Sequence, residues 1–217
     1  NMDTTGTFEM LLECQKYRII TCIHKHYEIN NWIDFLNNNI VIYDYLCIST
    51  GISDEDFDKT RNLLKLYPKI YMICIDVANG YTETFVQIIE NFREEFPDKI
   101  IIAGNVCTSE MTEQLILAGA DIAKIGIGPG SVCTTRKQTG IGYPQLSCIL
   151  ECSDAAHGMG GLVISDGGVC YPGDFSKGFG GGADFIMAGG YFSGHNESGG
   201  TIIEENGIKY KEFYGMS

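Results

Sequence analysis

The sequence predicts an α/β protein of the (β/α)8 TIM-barrel class, and three observations support this prediction. Seven short β-rich runs recur along the 217 residues, and each ends in a polar or glycine cluster. The runs are mostly apolar rather than alternating, which is typical of strands buried on both faces of a parallel sheet. Helical patterns lie between them, so repeated βαβ crossovers are expected. The predicted strands lie in residues 21–25, 45–50, 70–78, 99–106, 121–128, 161–168 and 184–190.

An eighth strand is expected at the start of the chain, where residues 1–4 resemble the end of a run whose beginning is cut off. We therefore expect a barrel that is truncated at both ends. Residues 1–217 are interpreted as one catalytic barrel domain that lacks the start of its first strand and the region after its eighth. The alternative is an open doubly wound sheet, which often carries an early Gly-x-Gly-x-x-Gly that this sequence lacks.

Helical patterns between the predicted strands support the βαβ interpretation. Residues 83–96 place apolar side chains on one face, and Pro97 ends the pattern. Residues 110–118 do the same, and Gly119 supplies a C-terminal cap. A further helix is expected to begin at Ser53, because a serine cap followed by acidic residues suits the positive end of a helix dipole.

The charge balance limits the classes of partner. The net charge is −13, and such an acidic surface repels nucleic acid and anionic membranes. No apolar run approaches the roughly 18 residues that a membrane span needs. With 44% hydrophobic and 20% charged residues, the composition is that of a soluble globular protein. A single phosphorylated small molecule is compatible with this charge, because backbone N–H groups and a helix N-terminus can hold phosphate.

The nine cysteines are interpreted as reduced thiols of a cytoplasmic protein. Their number is odd, their spacings are scattered, and no Cys-x-x-Cys pair suggests a zinc site. Cys22, Cys47 and Cys74 lie in apolar runs, where cysteine usually acts as a small buried hydrophobe. Function is expected at only one or two of the nine.

The glycine-rich segment from Gly126 to Arg136 holds the candidate nucleophile, Cys133. Function in a barrel collects on the loops that follow the strands, and this loop follows the run at 121–128. Hydroxyl side chains and the fixed cation of Arg136 flank the cysteine, and such surroundings favour a nucleophilic thiolate. The alternative for any single cysteine is an inert buried thiol, which we prefer for the others.

Glycine pairs follow the last two predicted strands, in SDGG (165–168) and AGG (188–190). Loops at this position of a barrel often bind phosphate through their N–H groups and an adjacent helix N-terminus. A side chain at Gly168 or Gly190 would block close approach of the phosphate. Asp166 suits the paired hydroxyls of a ribose, because a carboxylate accepts two hydrogen bonds. The alternative is that these glycines merely form turns.

His24, Lys25 and His26 follow the first of the seven runs. Histidines two residues apart share one face of a strand and could indicate a metal site, but no third ligand is evident. Lys25 is therefore interpreted as a cation that binds an anionic ligand at the strand end.

Longer motifs resemble those of GMP reductases, within the family that these enzymes share with IMP dehydrogenases. The resemblance extends from Asn1 to Ser217, and the motifs occur in order. GSVCTTR and SDGG also suit the dehydrogenases, whereas IHKHY, DVANGY and GIGYPQL are more similar to the reductases. The other matching segments are NMDTTGTFEM, AGNV, GGADFIMAGG and FYGMS.

The resemblance implies roles for the matching positions. Cys133 is expected to attack C2 of the purine, and Thr135 to relay protons to the leaving amine, with a partner glutamate expected beyond Ser217. The implied nucleotide-binding positions are Ser131, Asp166, Gly167, Gly168, Gly189, Gly190, Gly215, Met216 and Ser217. The implied cofactor positions are Lys25, Asp76, Val77, Ala78, Ile127 and Gly128. A monovalent-cation site, usually for potassium (K⁺), is implied at Gly128, Gly130, Cys133 and Arg136.

The implied reaction is a step of purine nucleotide salvage. It converts GMP and NADPH to IMP, NADP⁺ and ammonia through a covalent thioimidate, and the implied assembly is a homotetramer. Two alternatives stay open. An IMP dehydrogenase would resolve a similar adduct with activated water instead of hydride, and a non-catalytic barrel would serve as a binding or assembly partner.

Overall fold

The computed structural model describes residues 1–215, which form two compact units. The first unit comprises residues 1–74 together with the segment from Phe192 onward, and the second comprises residues 75–191. The interpretation of residues 1–217 as one barrel domain stays a prediction.

The first unit contains two complete strand–helix repeats. A third strand, β3, leads from this unit into the second. The elements of the unit, in chain order, are α1 (Phe8–Cys14), β1 (Thr21–Ile23), α2 (Ile29–Asn38), β2 (Leu46–Thr50), α3 (Asp54–Leu66) and β3 (Met72–Asp76). Short 3-10 helices occupy Gln15–Tyr17 and Tyr43–Tyr45.

The second unit continues the alternation of strands and helices. Its elements are α4 (Glu83–Glu95), β4 (Ile100–Val106), α5 (Ser109–Leu117), β5 (Ile122–Ile125), α6 (Thr135–Thr139), α7 (Gln145–Gly158), β6 (Leu162–Asp166), α8 (Pro172–Gly180) and β7 (Phe185–Met187). A 3-10 helix follows at Gly190–Phe192. Each of the seven predicted runs therefore contains a strand.

The strands β1 to β7 follow chain order in one sheet, and the pairs β1–β2, β4–β5, β5–β6 and β6–β7 are parallel. The register aligns the ends of neighbouring strands: Ile125 pairs with Ser165, and Asp166 pairs with Met187. Because these strands run in the same direction, the loops that follow them leave the sheet at the same edge. This confirms the predicted α/β class with parallel βαβ connections.

The helix start and stop signals act as predicted. The Ser53 hydroxyl accepts a hydrogen bond from the Asp56 amide at the start of α3, and Thr82 caps α4 in the same way. Gly119, at φ +110°, follows the end of α5. A side chain there would meet Arg93. The apolar faces of these helices are buried, with Phe85, Ile89 and Phe92 of α4 fully enclosed.

The prediction of a strand at residues 1–4 is wrong. Asp3 and Thr4 lie in a turn, in which the Met2 carbonyl accepts hydrogen bonds from the amides of Thr5 and Gly6, at 3.1 and 2.6 Å. A carbonyl satisfied within its own turn has no need of a neighbouring strand.

A β-hairpin near the end of the first unit was not predicted. Its antiparallel strands are β8 (Ile202–Glu205) and β9 (Ile208–Lys211). The connecting residues, Asn206 and Gly207, have φ values of +53° and +76°, as a type I′ turn requires.

Candidate functional site

The loop between β5 and α6 carries the predicted nucleophile. Gly126 and Gly128 have φ values of +133° and +83°, which side-chain-bearing residues rarely adopt. A Cβ at Gly126 would lie 2.8 Å from Gln145, and one at Gly128 would lie 2.6 Å from Arg136. The glycines therefore allow the loop to turn sharply while its neighbours pack closely. Cys133 is partly exposed and lies on this loop, as predicted, just before α6.

Cys133 and Thr135 are brought together by this turn. The thiol donates a hydrogen bond to the Thr135 hydroxyl across 3.3 Å, and the Cys133 amide donates to the Gly130 carbonyl across 3.1 Å. A nucleophile beside a hydroxyl group has the geometry needed for proton transfer. The pair that the family resemblance implies for catalysis is thus in direct contact.

The guanidinium of Arg136 is engaged elsewhere. It donates to the Tyr143 carbonyl across 2.6 Å, and the side chain packs along Gly128 and Gly142. The structure therefore gives Arg136 a role in fixing the loop, and the idea that its charge favours a thiolate at Cys133 stays a prediction.

The loop after β6 lies against the Cys133 loop. A Cβ on Gly167 would be 3.0 Å from Pro129 Cγ, and one on Gly168 would be 3.4 Å from Pro129 Cβ. Both glycines have positive φ, +91° and +79°. The Gly167 amide donates to the Met187 carbonyl at the end of β7, across 3.3 Å. The ends of β5, β6 and β7 thus bring the predicted nucleophile and phosphate loops together.

The remaining predicted nucleotide positions differ in exposure. Ser131 and Gly190 are exposed, whereas Gly189 is half-buried. Gly215, which belongs to the first unit, is also half-buried. Met216 and Ser217 lie outside the described residues.

A partly buried cluster of charged and polar side chains, centred on the buried Lys124, occupies the ends of β3 to β6. The Lys124 ammonium lies 2.6 Å from Asp76 Oδ1 and 2.8 Å from Asp166 Oδ2, and it donates to Asn105 Oδ1. Burial raises the pKa of Asp166, but the Lys124 charge and hydrogen bonds from Lys124 and Asn105 outweigh it and hold this pKa below its ordinary value. Asp166 is therefore ionised at neutral pH and can accept hydrogen bonds.

Lys124 and Asn105 were missed in the sequence. Lys124 is the one charged residue within β5, so a lysine inside an apolar run was a usable signal. Asp76 was expected on the cofactor side without a partner, and the structure pairs it with Lys124.

The other predicted cofactor positions use their backbone groups within the fold. The Val77 amide donates to the Gly104 carbonyl across 2.8 Å, and the Val77 carbonyl accepts from the Asn105 amide across 3.0 Å. The Ile127 carbonyl accepts from the Tyr143 amide. Ala78 is exposed and Gly128 is half-buried.

Lys25 belongs to the first unit. Its ammonium lies 3.7 Å from Asp56 Oδ2, and its side chain is 37% exposed. The Lys25 carbonyl accepts a hydrogen bond from the Lys59 ammonium across 2.5 Å. The cation is thus partly exposed and only loosely paired within this unit.

The described residues hold neither a metal-binding cluster nor a membrane-spanning helix. Among residues 1–215, no three His, Cys, Asp or Glu side chains are grouped as a metal ion requires. No helix in the same part of the chain is both long enough and apolar enough to cross a membrane.

Comparison with known proteins identifies similar sequences along the whole chain. The model of the IMP dehydrogenase / GMP reductase domain matches residues 43–217. Curated GMP reductases of Escherichia coli are 58% identical over 218 aligned residues, covering 100% of this chain. The chain spans 63% of the length of these relatives.

Solved structures of a GMP reductase and of an IMP dehydrogenase have a fold similar to that of this chain. A GMP reductase variant from Trypanosoma brucei aligns with a TM-score of 0.72 and 35% identity, covering 79% of this chain and 38% of that one. The IMP dehydrogenase of Legionella pneumophila aligns with a TM-score of 0.88 and 31% identity, covering 100% of this chain and 65% of that one.

Proposed function

The chain belongs to the IMP dehydrogenase / GMP reductase family, and on this premise we propose that it catalyses the NADPH-dependent reductive deamination of GMP to IMP. The observation that carries the proposal is the contact between Cys133 and Thr135, on a loop packed against the glycine loop of residues 165–168. The high identity to GMP reductases over the whole chain supports the reductase within the family.

Cys133 is the proposed nucleophile. Hydride cannot displace an amine directly from an aromatic ring, and a covalent intermediate divides this step into two easier ones. The sulfur forms a bond to purine C2, the bond from C2 to the amino nitrogen breaks, and ammonia leaves. The product of this half-reaction is a thioimidate that joins Cys133 to the nucleotide.

Thr135 is the proposed route for the proton in that step. The amine leaves as ammonia only if it gains a proton, and the thiol must lose one to attack. The Thr135 hydroxyl lies 3.3 Å from the Cys133 sulfur, so it can accept the thiol proton and pass its own to the amine. This transfer balances the half-reaction without a further acid.

The glycine loops are the proposed nucleotide site. Phosphate lies between residues 165–168 and 188–190 and is held mainly by backbone N–H groups. The bare Cα atoms of Gly168 and Gly190 permit close approach. Asp166 accepts hydrogen bonds from the ribose hydroxyls, which its depressed pKa supports. The predicted positions Ser131, Gly189 and Gly215, with Met216 and Ser217, complete the proposed set.

NADPH is the proposed reductant. When bound, it would supply the hydride that releases IMP from the thioimidate, and one proton would then convert the Cys133 thiolate to the thiol. The candidate positions fit a ligand in part. Ala78 is exposed and Asp76 is one-third exposed, so both are accessible. The backbone groups of Val77 are already paired, which leaves its side chain as the contact. Gly128, Ile127 and Lys25 remain proposed cofactor contacts.

A potassium site on the Cys133 loop fits the described conformation less well. Carbonyl oxygens suit such an ion, but the Gly130 carbonyl already accepts from Cys133, and the Arg136 side chain packs against Gly128. No catalytic step is therefore assigned to K⁺ here. Whether the reaction requires K⁺ is tested by comparing the turnover rate in potassium and in sodium buffers.

We also propose that the protein is a cytoplasmic homotetramer. Within residues 1–215 none of the nine cysteines forms a disulfide, which suits a reducing compartment. The tetramer rests on the family resemblance, and light scattering of the purified protein measures it directly.

The deciding experiment offers two substrate pairs to the complete protein in potassium buffer. Consumption of NADPH that depends on GMP and releases ammonia supports the reductase. Reduction of NAD⁺ that depends on IMP and yields xanthosine monophosphate would replace this proposal with the dehydrogenase. If the protein is inactive with both pairs although circular dichroism shows that it is folded, the remaining interpretation is a non-catalytic barrel. The Cys133→Ala variant is the blank for background oxidation of NADPH.

A further inference from the structure

Lys124 is a buried cation that has one acceptor oxygen for each proton of its ammonium group. Its side chain is 1% exposed, although lysine is almost never fully buried unless it is paired. An ammonium group has three protons. Three side-chain oxygens lie within reach of the nitrogen, from Asp76 on β3, Asn105 on β4 and Asp166 on β6. The lysine thus connects the ends of three other strands.

The two carboxylates depend on this cation. Asp76 Oδ1 and Asp166 Oδ2 bind the same nitrogen, so the two oxygens lie within about 5.5 Å of each other. Two carboxylates at such a distance in a partly buried site repel each other, and one tends to rotate away or to take up a proton. Removal of the cation therefore changes both the orientation and the charge of the pair.

Asp166 is held by one of its two oxygens. Oδ2 accepts hydrogen bonds from Lys124 and, across 2.9 Å, from the Asn105 amide. The same amide donates to the Gly126 carbonyl across 2.8 Å, which ties the carboxylate to the Cys133 loop. Within residues 1–215, Oδ1 of Asp166 has no hydrogen-bond donor, and the side chain is 24% exposed. One oxygen is thus fixed and the other is available to a ligand.

We propose that Lys124 is a positioning residue for nucleotide recognition: it holds Oδ2 of Asp166 so that Oδ1 faces the paired hydroxyls of the ribose. The inference rests on the proposed function, because a ribose at Asp166 is part of it. The depressed pKa of Asp166 agrees with this role, since the carboxylate must be ionised to accept from both hydroxyls.

A purely structural lysine would behave differently. Its loss would loosen the strand ends and weaken every ligand to a similar degree. A positioning lysine affects the ribose contact selectively. The discriminating quantity is therefore the ratio of affinities for GMP and for 2′,3′-dideoxy-GMP, which lacks both hydroxyls.

The experiment measures both affinities calorimetrically in the complete protein and in its Lys124→Met variant. Wild type is expected to bind GMP at least about tenfold more tightly than the dideoxy nucleotide, because hydrogen bonds to a charged acceptor are the stronger kind. Lys124→Met is expected to lose most of this preference while its affinity for the dideoxy nucleotide changes less than about threefold. The exposed Lys177→Met serves as a matched control and retains the preference.

Three outcomes count against the proposal in distinguishable ways. Preference for GMP that persists in a folded Lys124→Met variant overturns the role of Lys124 alone. Equal weakening of both nucleotides identifies a structural lysine. Failure of wild type to bind GMP refutes the proposed function and this inference with it. If the single variant does not fold, the same two affinities are measured in the double variant Lys124→Met/Asp76→Asn. Removing the Asp76 charge relieves the repulsion between the two carboxylates.

Discussion

The thiol of Cys133 and the hydroxyl of Thr135 lie 3.3 Å apart. Thr135 is the first residue of α6, and Cys133 lies two residues before it. A hydrogen bond between the proposed nucleophile and a hydroxyl two residues away would place bond making and proton transfer in one short segment. The two functions are chemically separate, so substitutions at the two positions are expected to have different effects.

Substitution of Cys133 by alanine is expected to abolish turnover without loss of GMP binding. In the proposed mechanism the sulfur takes part in bond making, whereas the proposed phosphate and ribose contacts lie on other loops. We expect turnover to fall about 10³-fold or more, with the GMP dissociation constant changed less than about threefold. Steady-state kinetics and calorimetry measure the two quantities. Cys170→Ala, at an exposed cysteine, is the control and retains activity. Substantial turnover in Cys133→Ala would refute the assignment of the nucleophile.

Substitution of Thr135 by alanine is expected to slow the reaction while substrate still binds. Proton transfer by a positioned group contributes about 10²–10⁴-fold, so kcat is expected to fall in that range with KM for GMP little changed. Thr135→Ser keeps the hydroxyl and is expected to recover most of the rate. If alanine and serine were equally slow, the defect would lie in packing of the loop rather than in proton transfer.

Substitution of Gly190 by valine is expected to prevent nucleotide binding and leave the fold intact. The proposed phosphate approaches the backbone at this position, and a branched side chain would block it. Gly158→Val is the control, because a Cβ there meets no atom within 4 Å. Calorimetric titration with GMP, together with a thermal melt, measures binding and folding. Unchanged affinity for GMP in Gly190→Val would refute the proposal that this loop binds the phosphate.

Much of this fold follows from local sequence patterns. Apolar runs ending in glycine predict the strands, because strands of a parallel sheet are buried on both faces. The order of the strands in the sheet follows from the strand–helix alternation. The hairpin around Asn206-Gly207 carried an equally local signal, an Asn-Gly pair between alternating runs, and it was overlooked.

The partners of charged side chains could not be predicted in the same way. The sequence placed Cys133 beside Arg136 and gave Asp76 no partner. In the structure the Arg136 guanidinium binds the Tyr143 carbonyl and Asp76 binds Lys124. Long side chains reach across strands that are far apart in sequence, and their direction depends on packing rather than on spacing. Nearness in sequence therefore identified the loop of the site but not its ion pairs.

Arg93 is expected to be a main source of stability in the second unit. Its guanidinium donates to carbonyls of Gly119, Phe96, Pro97 and Lys99, and it pairs with Asp121 across 2.6 Å. Arg93→Ala removes all of these hydrogen bonds, several of them part-buried, and is expected to cost about 2–4 kcal/mol of unfolding free energy.

Urea denaturation measures the effect of Arg93→Ala. Arg93→Lys is expected to recover little of the loss, since an ammonium cannot reproduce the fork of five N–H donors. Lys16→Ala, at an exposed ion pair in the first unit, is the control and leaves the midpoint unchanged. A loss for Arg93→Ala no larger than that of this control would contradict the prediction.

His24 is expected to make the stability of the protein depend on pH below neutrality. Burial, followed by the neighbouring His26, lowers the pKa of His24 to about 4. Its ring stacks on Tyr27 at 4.1 Å, and its Nδ1 accepts a hydrogen bond from the His26 amide, as a neutral imidazole can. The unfolded chain takes up a proton near pH 6.5, whereas the folded chain resists it down to about pH 4. Stability is therefore full above about pH 6.5 and is lost progressively as the pH falls toward 4.

The expected loss from this one group between about pH 7.5 and pH 5 is about 2 kcal/mol of unfolding free energy. Urea denaturation across that range measures it, before most carboxylates titrate. His24→Asn keeps a side-chain acceptor but no titrating ring, so its unfolding free energy is expected to vary less with pH than that of wild type. His195→Asn, at an exposed histidine, is the matched control variant. The same slope in wild type and His24→Asn would show that the acid sensitivity arises from other groups, because only a residue that changes protonation between the two states can contribute to it.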